Sequence, residues 1–438
     1  MERKDNNVQE VPLSARDNPQ EAHDEYEVHW DEDDPLDPHS MTPKRKWAIV
    51  ILVSSTTLCT CVASSVYTAT YDQITVEFNC SRTVATLGLS LYIAGLGWGP
   101  IVMSSLSEFY GRRSIYLVPL PFFVIFPIPC AAARNTETML VGRLFDGLAG
   151  AAFTSVAGAT VDDMFSGSTL HTPMLVYTAS PFTGASLGPV LGGLINSWAS
   201  WRWSFYFLLI WASLQSILVM LFGPETYHPV LLRNRARKMR METGDERWRA
   251  PIEKLDRSVL KTVIRSLYRL FLLLLLEPMC LNLCLLSAFA LGVQYLLFGA
   301  FGVVFSNAYD FNLWQTGLAF VGLVVGMVLA VVIDPFCCRI YPHFSGQSNG
   351  PTDNRDEEPE RRLPPAVLGA PLVTIVPWIV LVIGSAVFGT SVLGSNSCMR
   401  STFAAAFPLF GVAMYHRLGN QWATSLLAFL SLVIAPFP

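Results

Sequence analysis

The sequence predicts an all-α membrane protein built as two helical bundles, and three features of the chain carry that prediction. Of the 438 residues, 52% are hydrophobic and only 15% are charged, whereas a soluble domain carries about a quarter charged residues. The hydrophobic residues form about ten or eleven runs of the length that spans a bilayer, and 173–198 contains no charged residue. A long polar segment at 225–278 divides these runs into two groups.

The first group predicts an N-terminal bundle of six helices over residues 47–224. Before it, residues 1–46 form an acidic stretch without the apolar core of a signal peptide, which predicts a disordered cytoplasmic tail. The predicted spans of the bundle are 47–70, 84–106, 114–133, 137–161, 173–198 and 203–223.

The second group, residues 279–438, predicts a C-terminal bundle that is incomplete. Its predicted spans are 279–306, 314–333, 366–394, 401–415 and 421–438. The run 366–394 is about 43 Å long as a helix, which suffices for one tilted crossing, whereas two crossings need about 40 residues. We therefore expect about eleven spans. Alternatively, Pro377 breaks this run into a re-entrant pair, which requires burial within the protein.

Lysine and arginine in the short loops predict the orientation in the membrane. The basic residues 44–46 precede the first span, and Arg112 and Arg113 lie between the second and third spans. The linker 225–278 is also basic. Because basic loops stay in the cytoplasm, we expect the N-terminus and the linker on that side.

The stretch GASLGPVLGG at 184–193 fits two different structures. Its first five residues match the G-x-S-x-G pattern of a hydrolase nucleophile, which requires a sharp turn between a strand and a helix. Ser186, however, lies within a charge-free run that is long enough to cross a bilayer, so we expect a helix and no enzyme. Glycines at every fourth position give a smooth helix face, and a proline bends the helix. Generic helix packing produces the same spacing. The motif residues are Gly184, Gly188, Pro189, Gly192 and Gly193.

Two further motifs place charges near or inside the predicted spans. In LVGRLFDGLAGAA, Arg143 and Asp146 are spaced i, i+3 on one helix face within an apolar run. A charge there costs about 2.5–3.5 kcal/mol on insertion scales, so the pair indicates a functional site or a structural ion pair. In SLSEFYGRRS, a short loop holds four candidate functional residues. The alternative interpretation is an ordinary solvated loop without a specific role. These candidates are Glu108, Gly111, Arg112 and Arg113.

Together the three motifs resemble those of the major facilitator superfamily. SEFYGRR resembles the family's loop motif between helices two and three, GRLFDGLAG its helix-four motif, and GASLGPVLGG the helix-five motif of proton-driven antiporters. WRWSFYF at 201–207 and FPLFGVAMY at 407–415 are similar to the fungal twelve-span drug:proton antiporters, which include multidrug and polyamine exporters. The resemblance extends from about residue 37 to the end of the chain.

The resemblance implies two helical bundles around a central cavity that opens alternately to each side of the membrane. It assigns gating to the loop motif, proton coupling to Arg143 with Asp146, and sealing of the cavity to the helix-five motif. For the substrate pocket, Asp72 is a candidate contact for a cationic molecule, and Gln294 and Tyr295 are candidates in the second half. Ordinary packing is the alternative for these three residues.

The expected function is therefore proton-coupled export of small amphipathic or cationic molecules (drugs, toxins or polyamines) across the plasma membrane. The expected partners are the small-molecule substrate, protons and the lipid bilayer, with no cofactor, metal or nucleic acid, and we expect a monomer. Two departures from the family leave an alternative open. Gly299 stands where many relatives carry glutamate, and the second half is short. A non-transporting relative that binds or senses a ligand would also fit.

Overall fold

The computed structural model describes most of the first half of the chain and part of the second. The described residues are 26–254 with gaps between 27 and 36, 278–332 without 330, 400–409, and the single positions 264, 268, 272, 276, 414 and 417. The predicted spans 366–394 and 421–438 lie outside the described residues, and so does the predicted shortening of the second half.

Helices make up almost all of the described chain, which confirms the all-α prediction. Each of the six spans predicted in the first half corresponds to a helix, and the largest difference is at the end of the first, which was predicted at residue 70 and lies at Glu77. The helices are α1 Pro43–Glu77, α2 Arg82–Tyr110, α3 Arg112–Ala131, α4 Thr136–Asp162, α5 His171–Trp198, α6 Arg202–Phe222, α7 His228–Thr243, α8 Pro278–Tyr309, α9 Leu313–Leu329 and α10 400–409.

Five of the described helices, α1 to α4 and α6, are both long and apolar enough to cross a membrane. Helix α5 has 28 residues, a length of about 42 Å, and its apolar residues are interspersed with glycines, serines and threonines. The described chain is therefore that of a multi-pass membrane protein.

Local sequence explains where these helices begin, bend and end. Helix α1 is α-helical to Ser65, continues as a 3-10 helix over Val66–Thr70 and ends as an α-helix over Tyr71–Glu77. Helix α2 ends at Gly111, whose φ of 87° is a conformation that residues with a Cβ rarely adopt. Helix α3 consists of three short segments, and the second and third each begin at a proline, because proline has no N–H to donate to the preceding turn.

Polar clusters at the two ends of the bundle show that consecutive helices run in opposite directions. At one end, the start of α3 lies beside the end of α4, where Arg112 pairs with Asp163. At the other, Glu77 at the end of α1 pairs with Arg202 at the start of α6. We call the first the basic end, because the basic residues 44–46 lie in the first turn of α1 there, and the second the opposite end.

Glycines allow the helices of the first bundle to pack closely. Helix α4 crosses α2 at Gly147 and Gly95, and a Cβ built on Gly95 would lie 2.6 Å from the carbonyl oxygen of Leu144. The second-half helices pack onto this bundle, since Ser401 of α10 lies against Gly97 of α2.

The described part of the tail packs against the linker. The Val28 N–H donates to the Arg249 carbonyl at 3.1 Å, and the Arg249 N–H donates to the Tyr26 carbonyl at 3.0 Å. Val28 is buried beside Leu232 and Ala236 of α7. The residues just before α1 are also ordered, with a 3-10 helix at Pro38–Ser40. Structure thus begins before residue 46, where the sequence predicted the end of a disordered tail.

Candidate functional site

A charged pair lies buried in the middle of the described helices. Arg143 and Asp146 occupy adjacent turns of α4, with 3.5 Å between Arg143 Nη1 and Asp146 Oδ2, and both residues are 0% exposed. Arg143 also reaches α1, where it donates to the carbonyl oxygens of Ala63 at 2.9 Å and Ser64 at 3.2 Å. Both carbonyls belong to the last turn of the α-helical part of α1, just before the 3-10 segment.

The two members of this pair differ in how well their polar atoms are satisfied. The Arg143 guanidinium lies over the rings of Tyr92 at 4.2 Å and Tyr67 at 4.9 Å, and these faces attract a cation. The two carboxylate oxygens of Asp146 have no hydrogen bond to any described residue. Among the described residues, the ion pair with Arg143 is therefore the polar contact that holds the Asp146 carboxylate.

Side chains of α8 connect the second group of helices to this site. The hydroxyl groups of Tyr295 and Ser64 are 2.6 Å apart. The neighbouring Gln294 donates from Nε2 to Ser186 Oγ at 2.9 Å, while its Oε1 is buried without a described partner. Both α8 residues, singled out from the sequence as pocket candidates, therefore lie at the interface between the two groups of helices, and Tyr295 contacts the serine whose carbonyl binds Arg143.

The glycine motif of α5 packs against two neighbouring helices. Gly184, Gly188 and Gly192 face α1, and a Cβ built on Gly184 would lie 2.6 Å from the Leu58 carbonyl oxygen. Gly193 instead faces α9, where a Cβ would lie 2.9 Å from the Leu313 carbonyl oxygen. The motif contributes Pro189, one of two prolines inside α5. The structure thus places α5 between α1 and α9.

Ser186 has the surroundings of a packed helical residue. It lies in the middle of α5, is 0% exposed and donates its hydroxyl to the Phe182 carbonyl at 3.0 Å. The strand-to-helix turn of a hydrolase nucleophile is absent from this part of the described chain.

A second polar cluster holds the basic end together around Arg112, which is 6% exposed. Its Nε donates to Asp163 Oδ2 at 2.8 Å, and its guanidinium lies 4.6 Å from the centre of the Tyr227 ring. The Glu225 carboxylate accepts the backbone N–H groups of Arg112 at 2.8 Å and Arg113 at 3.1 Å. Since these N–H groups begin a helix, the carboxylate both caps α3 and complements its dipole.

The remaining sequence candidates lie outside these two clusters. Glu108 is exposed, and neither it nor the exposed Arg113 side chain forms an ion pair with a described residue. Asp72 lies at the opposite end, where its side chain is 71% exposed and pairs with Arg82 at 3.2 Å. Gly111 supplies the turn from α2 into α3.

Sequence reasoning did not single out Asp163, Glu225 or Arg400 as site residues. Asp163 and Glu225 each lie two residues after a predicted span, and an acid at the end of a span is the only local signal for either. Arg400 begins α10, where a charge at the start of an apolar run was the available signal.

Comparison with known proteins agrees with this architecture. The profile of the Major Facilitator Superfamily matches residues 53–435. The chain is 48% identical to the efflux pump atB of Aspergillus terreus, over 93% of this chain and 85% of that protein. It is 33% identical to the probable drug/proton antiporter YHK8 of Saccharomyces cerevisiae, over 94% of this chain and 87% of that protein.

A solved structure supports the fold independently. The proton:xylose symporter XylE superposes with a TM-score of 0.55 at 14% identity, covering 91% of this chain and 94% of that one. The profile match extends across most of the chain, and two relatives above 30% identity align over nearly all of it. The chain therefore belongs to the major facilitator superfamily.

Proposed function

We propose that this chain is a proton-coupled antiporter that exports small amphipathic molecules across the plasma membrane. The names of its relatives, an efflux pump and a probable drug/proton antiporter, support export. The observation that carries the proposal is the buried pair of Arg143 and Asp146, because it supplies a carboxylate inside the membrane that a proton can neutralise.

Protonation would act through the contacts of this pair. Neutral Asp146 no longer attracts Arg143, which keeps its bonds to the α1 carbonyls and its place over the tyrosine rings. The strength of the contact between α4 and α1 then depends on the proton. If the conformations that open to the two sides of the membrane differ in their affinity for the proton, its binding shifts the balance between them.

The contacts between the two groups of helices are the ones that rocking would change. The hydroxyl contact of Ser64 with Tyr295 and the bond of Gln294 to Ser186 join the two groups near the buried pair. The close contact of Gly193 with α9 lies nearer the opposite end. We propose that the α5 motif closes the cavity at that end. The contacts of Tyr295 with Ser64 and of Gln294 with Ser186 would break and re-form as the bundles rock.

The cluster at the basic end would act as a gating latch. Asp163 and Glu225 bind the start of α3 to the ends of α4 and α6. Helices α3, α4 and α6 then move as one body when the bundles rock. Arg112 is the central residue of this latch, and Gly111 supplies the turn that presents it.

The described residues favour amphipathic molecules over polycations such as polyamines. A polycation needs carboxylates to pair with. Asp72, the candidate from the sequence, already pairs with Arg82 at the surface, and Asp146 already pairs with Arg143. The rings of Tyr295 and Phe298, 5.0 Å apart, supply aromatic surface for an apolar body.

An efflux panel in a transporter-deficient fungal host tests the proposal. Cells expressing the chain are expected to accumulate less of an amphipathic fluorescent dye than control cells, and a proton uncoupler should abolish the difference. Arg143→Ala and Asp146→Asn should remove the uncoupler-sensitive efflux while the protein remains in the membrane. Asp72→Asn is the matched control and should transport normally. Normal efflux from both Arg143→Ala and Asp146→Asn would refute the assignment.

The short predicted run 366–394 favours a second candidate function, a family member that binds a ligand without moving it. This candidate predicts dye binding to the purified chain without any efflux from cells. Sequencing the transcript across 370–400 also separates the two functions, because about 35 additional residues there would restore a second full crossing.

A further inference from the structure

Arg400 is a cation inside the membrane region that the proton-coupling pair does not use. It begins α10, and its guanidinium lies 5.6 Å from the centre of the Phe182 ring of α5. Its Nε atom is buried and has no hydrogen-bond partner among the described residues. A charged group inside a bilayer is costly and usually pairs with a group of opposite charge or with a backbone carbonyl.

The chain supplies no carboxylate for Arg400 among the described residues. The sequence has no aspartate or glutamate after Glu360, and Gly299 of α8 offers no side chain at all. Away from their ends, the described membrane helices carry two charged residues, Arg143 and Asp146, and Arg400 stands at the start of α10. Since Asp146 pairs with Arg143, the central region has a net positive charge, located at Arg400.

The surroundings of Arg400 fit an aromatic molecule. The side chains of Tyr177, Tyr295 and Cys61, which come from three different helices, lie within electrostatic range of its guanidinium. The Phe182 ring lies beneath its guanidinium. The next residue, Ser401, packs on Gly97 of α2 and so fixes the start of α10. A cation on a fixed backbone position, surrounded by rings, resembles a site for a flat apolar body with one negative group.

We propose that Arg400 binds the anionic group of the exported molecule, so that the substrates include aromatic carboxylates. This inference rests on the export function proposed above. A guanidinium presents several N–H groups in one plane and binds a carboxylate through two of them. The carboxylate would take the place of the missing protein acid, and the rings of Phe182 and Tyr177 would contact the aromatic body.

Three probes that share one ring system test this inference on the purified full-length chain in detergent. They are 1-naphthoate, its neutral methyl ester and the cation 1-naphthylmethylammonium, with affinity measured by ligand-induced thermal stabilisation. Wild-type protein should bind naphthoate more tightly than the ammonium. Arg400→Gln should weaken naphthoate binding about 10-fold to 100-fold, the effect of losing charge-assisted hydrogen bonds, and leave the ester unchanged. Arg400→Lys should lie between, and Arg134→Gln, an exposed arginine, is the matched control.

The outcomes separate this inference from the proposed export function. Equal binding of naphthoate by wild type and Arg400→Gln would overturn the inference. If Arg400→Gln does not fold, the three probes on wild type decide, and preference for the ammonium or the ester overturns it. Uncoupler-sensitive efflux of the ester without efflux of naphthoate refutes the inference and leaves the export function standing. Arg400-dependent binding of naphthoate without efflux of any probe supports the site and refutes export.

Discussion

The contact of α5 with α1 at Gly188 yields a prediction whose size can be worked out from the structure. A Cβ built on Gly188 would lie 2.6 Å from the Val66 nitrogen and 2.8 Å from the Ser65 carbonyl carbon, besides meeting the Ser65 hydroxyl. Real Cβ contacts essentially never fall below 3.0 Å. Because two of these atoms are backbone, no rotamer change relieves the contact. Gly188→Val therefore requires α5 to move away from α1.

The expected cost follows from two opposing effects. Overpacking a tight contact costs about 1–3 kcal/mol and sometimes more. Replacing a helical glycine with valine recovers about 0.4 kcal/mol of helix propensity. The net loss of about 2 kcal/mol changes the ratio of folded to unfolded protein by roughly a factor of 30. Gly322 is the matched control, because a Cβ built on it would meet no atom within 4 Å.

Thermal unfolding of the detergent-solubilised proteins, followed by fluorescence-detected size-exclusion chromatography, measures this difference. Gly188→Val should lose its monodisperse peak at a clearly lower temperature than wild type, whereas Gly322→Val should match wild type. If the two variants melt together, then α5 does not pack on α1 as described, and the interpretation of the glycine motif as a close helix contact is wrong.

Three further predictions concern the basic end of the molecule. Asp163→Asn should lower the melting temperature strongly, because breaking a buried ion pair such as that with Arg112 costs about 3–5 kcal/mol. Asp162 is exposed, so Asp162→Asn should leave the melting temperature unchanged. Equal effects of the two substitutions would contradict the latch. Glu225→Ala should cost about 0.5–2 kcal/mol through loss of the α3 cap, measured by the same assay, and an unchanged melting temperature would show that the cap contributes nothing. Val28→Asp should release the tail from α7, so that trypsin cleaves the tail of the variant under conditions in which the wild-type tail stays intact. Identical digestion patterns would contradict the docked tail.

The positions of the helices could be predicted from the sequence because a bilayer sets a minimum length for apolar runs. The i, i+3 spacing of Arg143 and Asp146 likewise placed both on one face of α4, where the structure has them 3.5 Å apart. Both inferences depend on residues close together in the chain, and local periodicity is sufficient for them.

The partners of the charged residues could not be predicted, because they come from distant parts of the chain. Arg112 pairs with an aspartate 51 positions away, and its N–H is capped by a glutamate 113 positions away. Arg143 donates to a carbonyl 80 positions away, near the point where α1 changes to 3-10 geometry. No spacing rule encodes these pairings, since they depend on how the helices pack. Arg400 was missed for the same reason: its environment is formed by other helices.

The most direct measurement of the central claim uses the purified chain in liposomes with an imposed pH gradient. A gradient in the antiport direction should drive uptake of an amphipathic substrate, dissipating the gradient should stop it, and Asp146→Asn should show no gradient-driven uptake while still binding the substrate. Uptake that is equal with and without the gradient, or gradient-driven uptake that survives in Asp146→Asn, would contradict the account.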